Sequence, residues 1–119
     1  MSQSAGGAGG VLKVKSRQEG DSRVLAASGQ LTERECGEFL AALNTEFDSG
    51  AGRVVLDLRD LMYMSSAGLG ALVSMHKRFS DAERRLILAG ANLRVRKLLA
   101  LTSLDKLIEN ADSVEDALK

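Results

Sequence analysis

The chain has no excess charge of either sign: 16 lysines and arginines face 16 aspartates and glutamates over 119 residues, so the formal net charge is zero. Without a net field nothing gathers a polyanion over long range, which argues against nucleic acid or an anionic membrane as the partner. No apolar run approaches the roughly 20 residues that span a bilayer, and the N-terminus carries neither the basic flank nor the apolar stretch of a secretory signal. A soluble, cytoplasmic protein without membrane insertion is expected. The single cysteine, Cys36, has no partner for an intrachain disulfide and fits a reducing compartment. The single histidine, His76, lies far from it in sequence, so no zinc-ligand spacing exists and no metal or cofactor is expected.

What the chain does have is enough apolar material for one core, 45% of its residues. Residues 1–10 are Ser, Gln, Ala and Gly without periodicity and read as a disordered tail, leaving 11–119 as one domain. Val11 to Lys15 and Arg23 to Ser28 flank a Glu19-Gly20-Asp21-Ser22 turn signal and read as an antiparallel hairpin ending at Gly29. Thr32-Glu33-Arg34-Glu35 has the Thr-x-x-Glu form of a capping box. The helix it opens lines up Cys36, Phe39, Leu40, Leu43 and Phe47 on one face and runs to about Asp48. Arg53 to Leu58, with a continuous Val-Val-Leu centre, reads as a strand buried on both sides.

A second helix follows over about Ala67 to Ser80, with Leu69, Leu72, Val73 and His76 at i, i+3, i+4 and i+7. Arg85 to Gly90 reads as another buried strand, and the strand–helix–strand order favours parallel pairing with a right-handed crossover. Asn92 caps a third helix that turns Val95, Leu98 and Leu99 inward and Arg94, Arg96 and Lys97 outward. Leu104 to Ile108 is expected as a short edge strand, and Ser113-Val114-Glu115-Asp116 as a final capping box. The fold class is therefore α/β: a small mixed sheet with an N-terminal hairpin, parallel strand–helix–strand units, and helices mainly on one face.

The junction between central strand and second helix, Ser65-Ser66-Ala67-Gly68-Leu69-Gly70, concentrates the functional signal. A helix N-terminus offers unpaired N–H groups and partial positive charge, a good setting for a phosphate. Ser66 reads either as an ordinary N-cap or as a modifiable hydroxyl, and Ser65 beside it offers the same cap. Gly68 and Gly70 each cost the helix about 1 kcal/mol relative to alanine, which is explained by close helix–sheet packing or by a close partner. No Gly-Lys-Ser/Thr follows, so this is not a phosphate loop. Asp57 and Asp60 near the strand end admit a metal-assisted phosphate-ester reading, but strand-end acids are commonly solvated or capping, and His76 has no paired nucleophile. Met62, Tyr63 and Met64 form an apolar approach to the junction and a candidate contact patch.

From Val11 onward the sequence resembles the STAS domain family, most strongly from Val54 to Gly70, with support from Gly29-Gln30-Leu31-Thr32 and from Leu101 to Ile108. The resemblance implies the STAS fold and, for small single-domain members, an anti-sigma factor antagonist without catalysis of its own. It places the phosphorylated serine at Ser66, with Ser65 as a competing acceptor, and partner contacts at Gly29, Thr32, Met64, Ser65, Ala67, Gly68 and Leu69. The implied partners are an anti-sigma factor that is also a serine kinase of the histidine-kinase-like ATPase type, and a PP2C-type phosphatase. Many relatives carry aspartate where Ser65 and Thr32 stand and a second hydroxyl where Ala67 stands, so this loop is less acidic. The alternative within the same fold is a scaffold or accessory subunit of a stress-sensing or transporter assembly, with no phospho-switch.

Overall fold

A computed structural model describes residues 12–119. The segment read as a disordered tail, 1–10, lies outside the described residues. β1 (Leu12–Glu19) pairs antiparallel with β2 (Ser22–Leu31), from Leu12 opposite Gly29 to Glu19 opposite Ser22. The sequence pattern ends this hairpin at Gly29, yet β2 continues to Leu31 because a new partner takes over. β4 (Leu61–Met64) runs parallel to it, with Gln30 opposite Tyr63 and Leu31 opposite Met64.

β3 (Arg53–Asp57) occupies the middle, parallel to β2 on one side and to β5 (Arg85–Ala89) on the other. Val54 and Leu56 enter one core and Val55 the opposite one, all without exposure, as a strand covered on both faces requires. β6 (Glu109–Ala111) pairs parallel with β5 and closes the sheet, whose order is β1-β2-β3-β5-β6 with β4 alongside β2. α1 (Cys36–Asp48), α2 (Ser66–Asp81) and α3 (Leu93–Leu101) supply Phe39, Leu43, Leu72, Phe79, Val95 and Leu99 to the larger core. The reverse face holds Val24, Val55 and Ile87 and is covered by Val114 and Ala117 of the short α5 (Val114–Ala117).

Two expectations need correction. The buried residues of α2 are Gly68, Leu69, Ala71, Leu72, Met75 and Phe79, so Leu69 and Leu72 face inward as expected, while Val73 is exposed and His76 half-buried. The helix is rotated because Gly68, its smallest side, is the one seated on the sheet. Leu104 to Ile108 is not an edge strand: Leu104–Leu107 forms a helical turn, α4, and the strand starts at Glu109. Leu104 and Ile108 are both buried four residues apart, and Ile108 N–H donates to the Leu104 carbonyl at 2.9 Å. That is the geometry of one helix face, which a strand cannot provide.

Glu46 of α1 is 2% exposed and carries a carboxylate into the contact with β1 and β2. Arg23 Nε donates to it at 3.0 Å and the Ser16 hydroxyl at 2.9 Å, which satisfies both oxygens. Arg23→Met strands that carboxylate and is expected to cost about 3 kcal/mol, toward the low end for breaking a buried pair because the guanidinium is partly solvated. Adding Glu46→Leu should recover most of the loss, as urea unfolding of the single and double variants would show.

Candidate functional site

β2, β4 and β5 each hand the chain to a helix at their carboxyl ends, while β3 leads into β4. The starts of α1, α2 and α3 therefore gather along one edge of the sheet, with α2 between the other two. At its centre, Ser65 is held three ways. Its N–H donates to the Leu31 carbonyl at 2.9 Å, its hydroxyl oxygen accepts from Gly68 N–H at 3.2 Å, and its carbonyl accepts from Leu69 N–H at 3.0 Å. With φ −80° and ψ 171°, Ser65 is the N-cap.

Ser66 is consequently not the cap but the first helical residue. It is exposed, and its hydroxyl has no hydrogen-bond partner among the described residues. Its own N–H and that of Ala67 belong to the first turn, where no intrahelical acceptor exists. A hydroxyl at this point stands in the positive end of the helix field.

Gly68 explains why the seat is so close. A Cβ there would lie 2.8 Å from Met64 Cγ and 2.9 Å from Leu31 Cγ and Cδ2, distances real Cβ atoms do not tolerate. At Gly70 a Cβ would meet nothing within 4 Å. Of the two explanations the sequence leaves open, helix–sheet packing accounts for Gly68, while Gly70 faces solvent.

The other expected contact positions divide into a surface set and a supporting set. Gly29 and Thr32 are half-buried on the edge, with Ala67 likewise half-buried beside Ser66. Gly29 takes a φ of 95° where the pairing register slips, and its N–H donates to the Asp60 carbonyl at 3.0 Å. Thr32 gives both its N–H, at 3.2 Å, and its hydroxyl to the Glu35 carboxylate, completing the glutamate half of the capping box over a 3₁₀ turn, Glu33–Glu35. Met64, at 1% exposure, and Leu69, at 8%, lie inside with Gly68, so they hold the seat of α2 rather than face outward. The register slip leaves Met62 unpaired as an extra residue, and a bulge of this kind re-aims side chains. Met62 is 56% and Tyr63 42% exposed.

One exposed residue was not visible in the pattern. Leu93, which opens α3, is 67% exposed at the same edge, where Asn92 Oδ1 caps Val95 N–H at 3.0 Å and Asn92 Nδ2 donates to the Leu61 carbonyl at 2.7 Å. The available signal is its helical phase: Leu93 sits about 200° around the helix from the inward Val95.

The titratable groups are not assembled for catalysis around Ser66. Asp57 lies on the same sheet face as Val55, away from α2, and accepts from the Arg59 N–H at 3.1 Å and from its guanidinium at 3.2 and 3.1 Å. That hydrogen bonding, added to by the charge attraction of Asp57, raises the pKa of Arg59. His76 is about 15 Å farther along α2, given 1.5 Å per residue. The half-buried Cys36 thiol donates to the Thr32 carbonyl at 3.4 Å, and burial, then Glu33 and Glu35, push its pKa up. That direction is away from the thiolate a reactive cysteine needs.

Comparison with known proteins adds the following. The family model described as "Mlab, STAS domain" matches residues 14–109. "Putative anti-sigma factor antagonist BtrV" of Bordetella bronchiseptica is 29% identical over 94 residues, 79% of this chain and 81% of that one. A "Putative anti-sigma factor antagonist" of Thermotoga maritima is 28% identical over 72 residues, which make up 60% of this chain and 64% of that protein's length. Among solved structures, an anti-sigma factor antagonist from Mycobacterium paratuberculosis superposes with a TM-score of 0.83 at 20% identity, covering 90% of this chain and 91% of that one. The unphosphorylated form of SpoIIAA, a Bacillus anti-sigma factor antagonist, gives a TM-score of 0.75 at 19% identity over 89% and 93% of the two chains. At such identities the superpositions establish a common fold.

Two paired substitutions test the geometry of the helix start. Ser65→Ala removes the cap and should cost about 1 kcal/mol, whereas Ser66→Ala should change stability by less than about 0.5 kcal/mol. Gly68→Ala should destabilise, its overpacking cost of about 1–3 kcal/mol exceeding the roughly 1 kcal/mol helix gain, while Gly70→Ala keeps that gain and stabilises. Denaturant midpoints of the four variants measure both contrasts.

Proposed function

Because the chain belongs to the STAS family, we propose that it acts as an anti-sigma factor antagonist whose partner choice is switched by phosphorylation of Ser66. The names of the Bordetella and Thermotoga relatives support the antagonist role. The observation that carries the switch is the division of labour at the helix start. Ser65 spends its hydroxyl on the cap, so the exposed hydroxyl of Ser66 is the one available to an incoming kinase.

In this reading the unmodified protein docks on a serine kinase of the histidine-kinase-like ATPase type through the edge around Ser66, with Gly29, Thr32 and Ala67 beside it and Met62 and Tyr63 as apolar contacts. The antagonist supplies the acceptor and the kinase the chemistry. Phosphate brings about −1.5 to −2 charges, which the first-turn N–H groups and helix field accommodate in the free protein. Inside a closed interface the same charge loses its water without gaining a matched partner, and the complex separates. A PP2C-type phosphatase restores the hydroxyl. Met64, Gly68 and Leu69 serve from beneath, by keeping α2 seated. No helix among the described residues is long and apolar enough to cross a membrane, and the proposed exchange of partners takes place in the cytoplasm.

The decisive experiment incubates the protein with ATP and a serine kinase of the histidine-kinase-like ATPase type from the same cell, then maps phosphate by mass spectrometry. One phosphate on Ser66 is expected, absent in Ser66→Ala and retained in Ser65→Ala. Labelling of Ser66→Ala equal to wild type would overturn the site. Ser66→Asp should weaken kinase binding by at least about tenfold, the effect of burying one unpaired charge. No labelling of any form, with co-purification of a transporter or a large stress assembly instead, would favour the scaffold reading.

A further inference from the structure

α3 presents a face that the proposed switch does not use. Leu93 and Leu101 are 67% and 83% exposed and lie eight residues apart, on the same side of the helix as Lys97 between them. Arg94 and Lys97 line a shallow hollow with Leu93. Neither cation forms an ion pair among the described residues, and α3 has no acidic residue at all. Arg96 belongs to a different surface, a cleft it lines with Asp105 and Asp112.

We infer that the Leu93–Lys97–Leu101 face of α3, with Arg94, docks an acidic amphipathic helix of a partner protein. Two exposed leucines about two turns apart, with the Lys97 stem between them, form a ridge that fits the groove of another helix. The two uncompensated cations beside that ridge select carboxylates flanking the partner's apolar stripe. A helix-in-groove contact of this sort gains affinity from the leucines and orientation from the charges. The chemistry does not suit an anionic membrane: α3 is only nine residues long, and the carboxylates of Asp105 and Asp112 line the cleft on its other flank, where they would repel lipid headgroups. Leu93 shares the sheet edge with Ser66, and the face runs from it along α3 to Leu101; its test reads crosslinking and not phosphorylation.

A photocrosslinking amino acid placed at Ala100, exposed on this face, tests the inference in the full chain inside the cell that encodes it, with the same probe at exposed Thr45 of α1 as control. The expected product is a crosslink whose partner peptide, sequenced by mass spectrometry, is acidic and carries apolar residues at helical spacing. Its yield should fall at least about tenfold in Arg94→Glu/Lys97→Glu and in Leu93→Ser/Leu101→Ser, both checked for native circular dichroism. A crosslink to lipid, to a second copy of this chain or to a segment without acidic residues would overturn the inference. So would a yield no higher than that from Thr45.

Discussion

The structure turns on the seam where the start of α2 meets the ends of β2 and β4. Backbone fixes one side of it, through the bond from Ser65 N–H to the Leu31 carbonyl, and packing fixes the other, through the contact of Gly68 with Leu31 and Met64. Together they leave α2 little freedom to rotate. The face that turns inward, Leu72, Met75 and Phe79, follows from which residue can approach the sheet most closely. The outward position of Ser66 follows from the same fact.

The same seam organises the edge. β2 is paired first with β1 and β3 and then, past Gly29, with β4, and the slip in register at that change of partner leaves Met62 unpaired. A hairpin strand thus becomes the support for an exposed apolar pair, Met62 and Tyr63, next to a helix N-terminus. The other charges are arranged to hold elements rather than to do chemistry. Arg84 stacks 3.9 Å from the Phe47 ring centroid while donating to the Ala51 and Phe47 carbonyls, and Arg53 ties β3 to the C-terminal residues by donating to the Ala117 and Lys119 carbonyls. Overall neutrality conceals local imbalance: Glu33, Glu35 and Glu38 lie at the start of α1, and Arg94, Arg96 and Lys97 lie on α3.

Much of this was legible in the residues. The Val-Val-Leu run marks β3 because only a strand covered on both faces dispenses with alternation, and Asn92 and Ser113 mark helix starts because their side chains accept the bonds expected of them, from Val95 and Asp116. β4 was harder, since Leu61 to Met64 is buried only at its two ends and so lacks a period of two. The cap itself was ambiguous because Ser65 and Ser66 carry the same chemistry. Choosing between them required knowing which N–H was already bonded to Leu31. Leu104 to Ile108 looked like a strand because a short apolar segment has no distinguishing period until its neighbours show which side chains are buried.

By itself the sequence determined the hairpin, the two buried strands and the three longer helices in their order, the apolar inventory of the core and the presence of two hydroxyls at one helix start. These depend on interactions between residues a few positions apart, where caps, turns and periodicity act. Tertiary structure alone decided which hydroxyl is spent on the cap, which side of α2 meets the sheet, why Gly68 must be glycine, and that Leu93 and Leu101 stand open on α3. Those are consequences of contacts between residues distant in the chain, such as Gly68 with Leu31, and no local pattern encodes the distance between them.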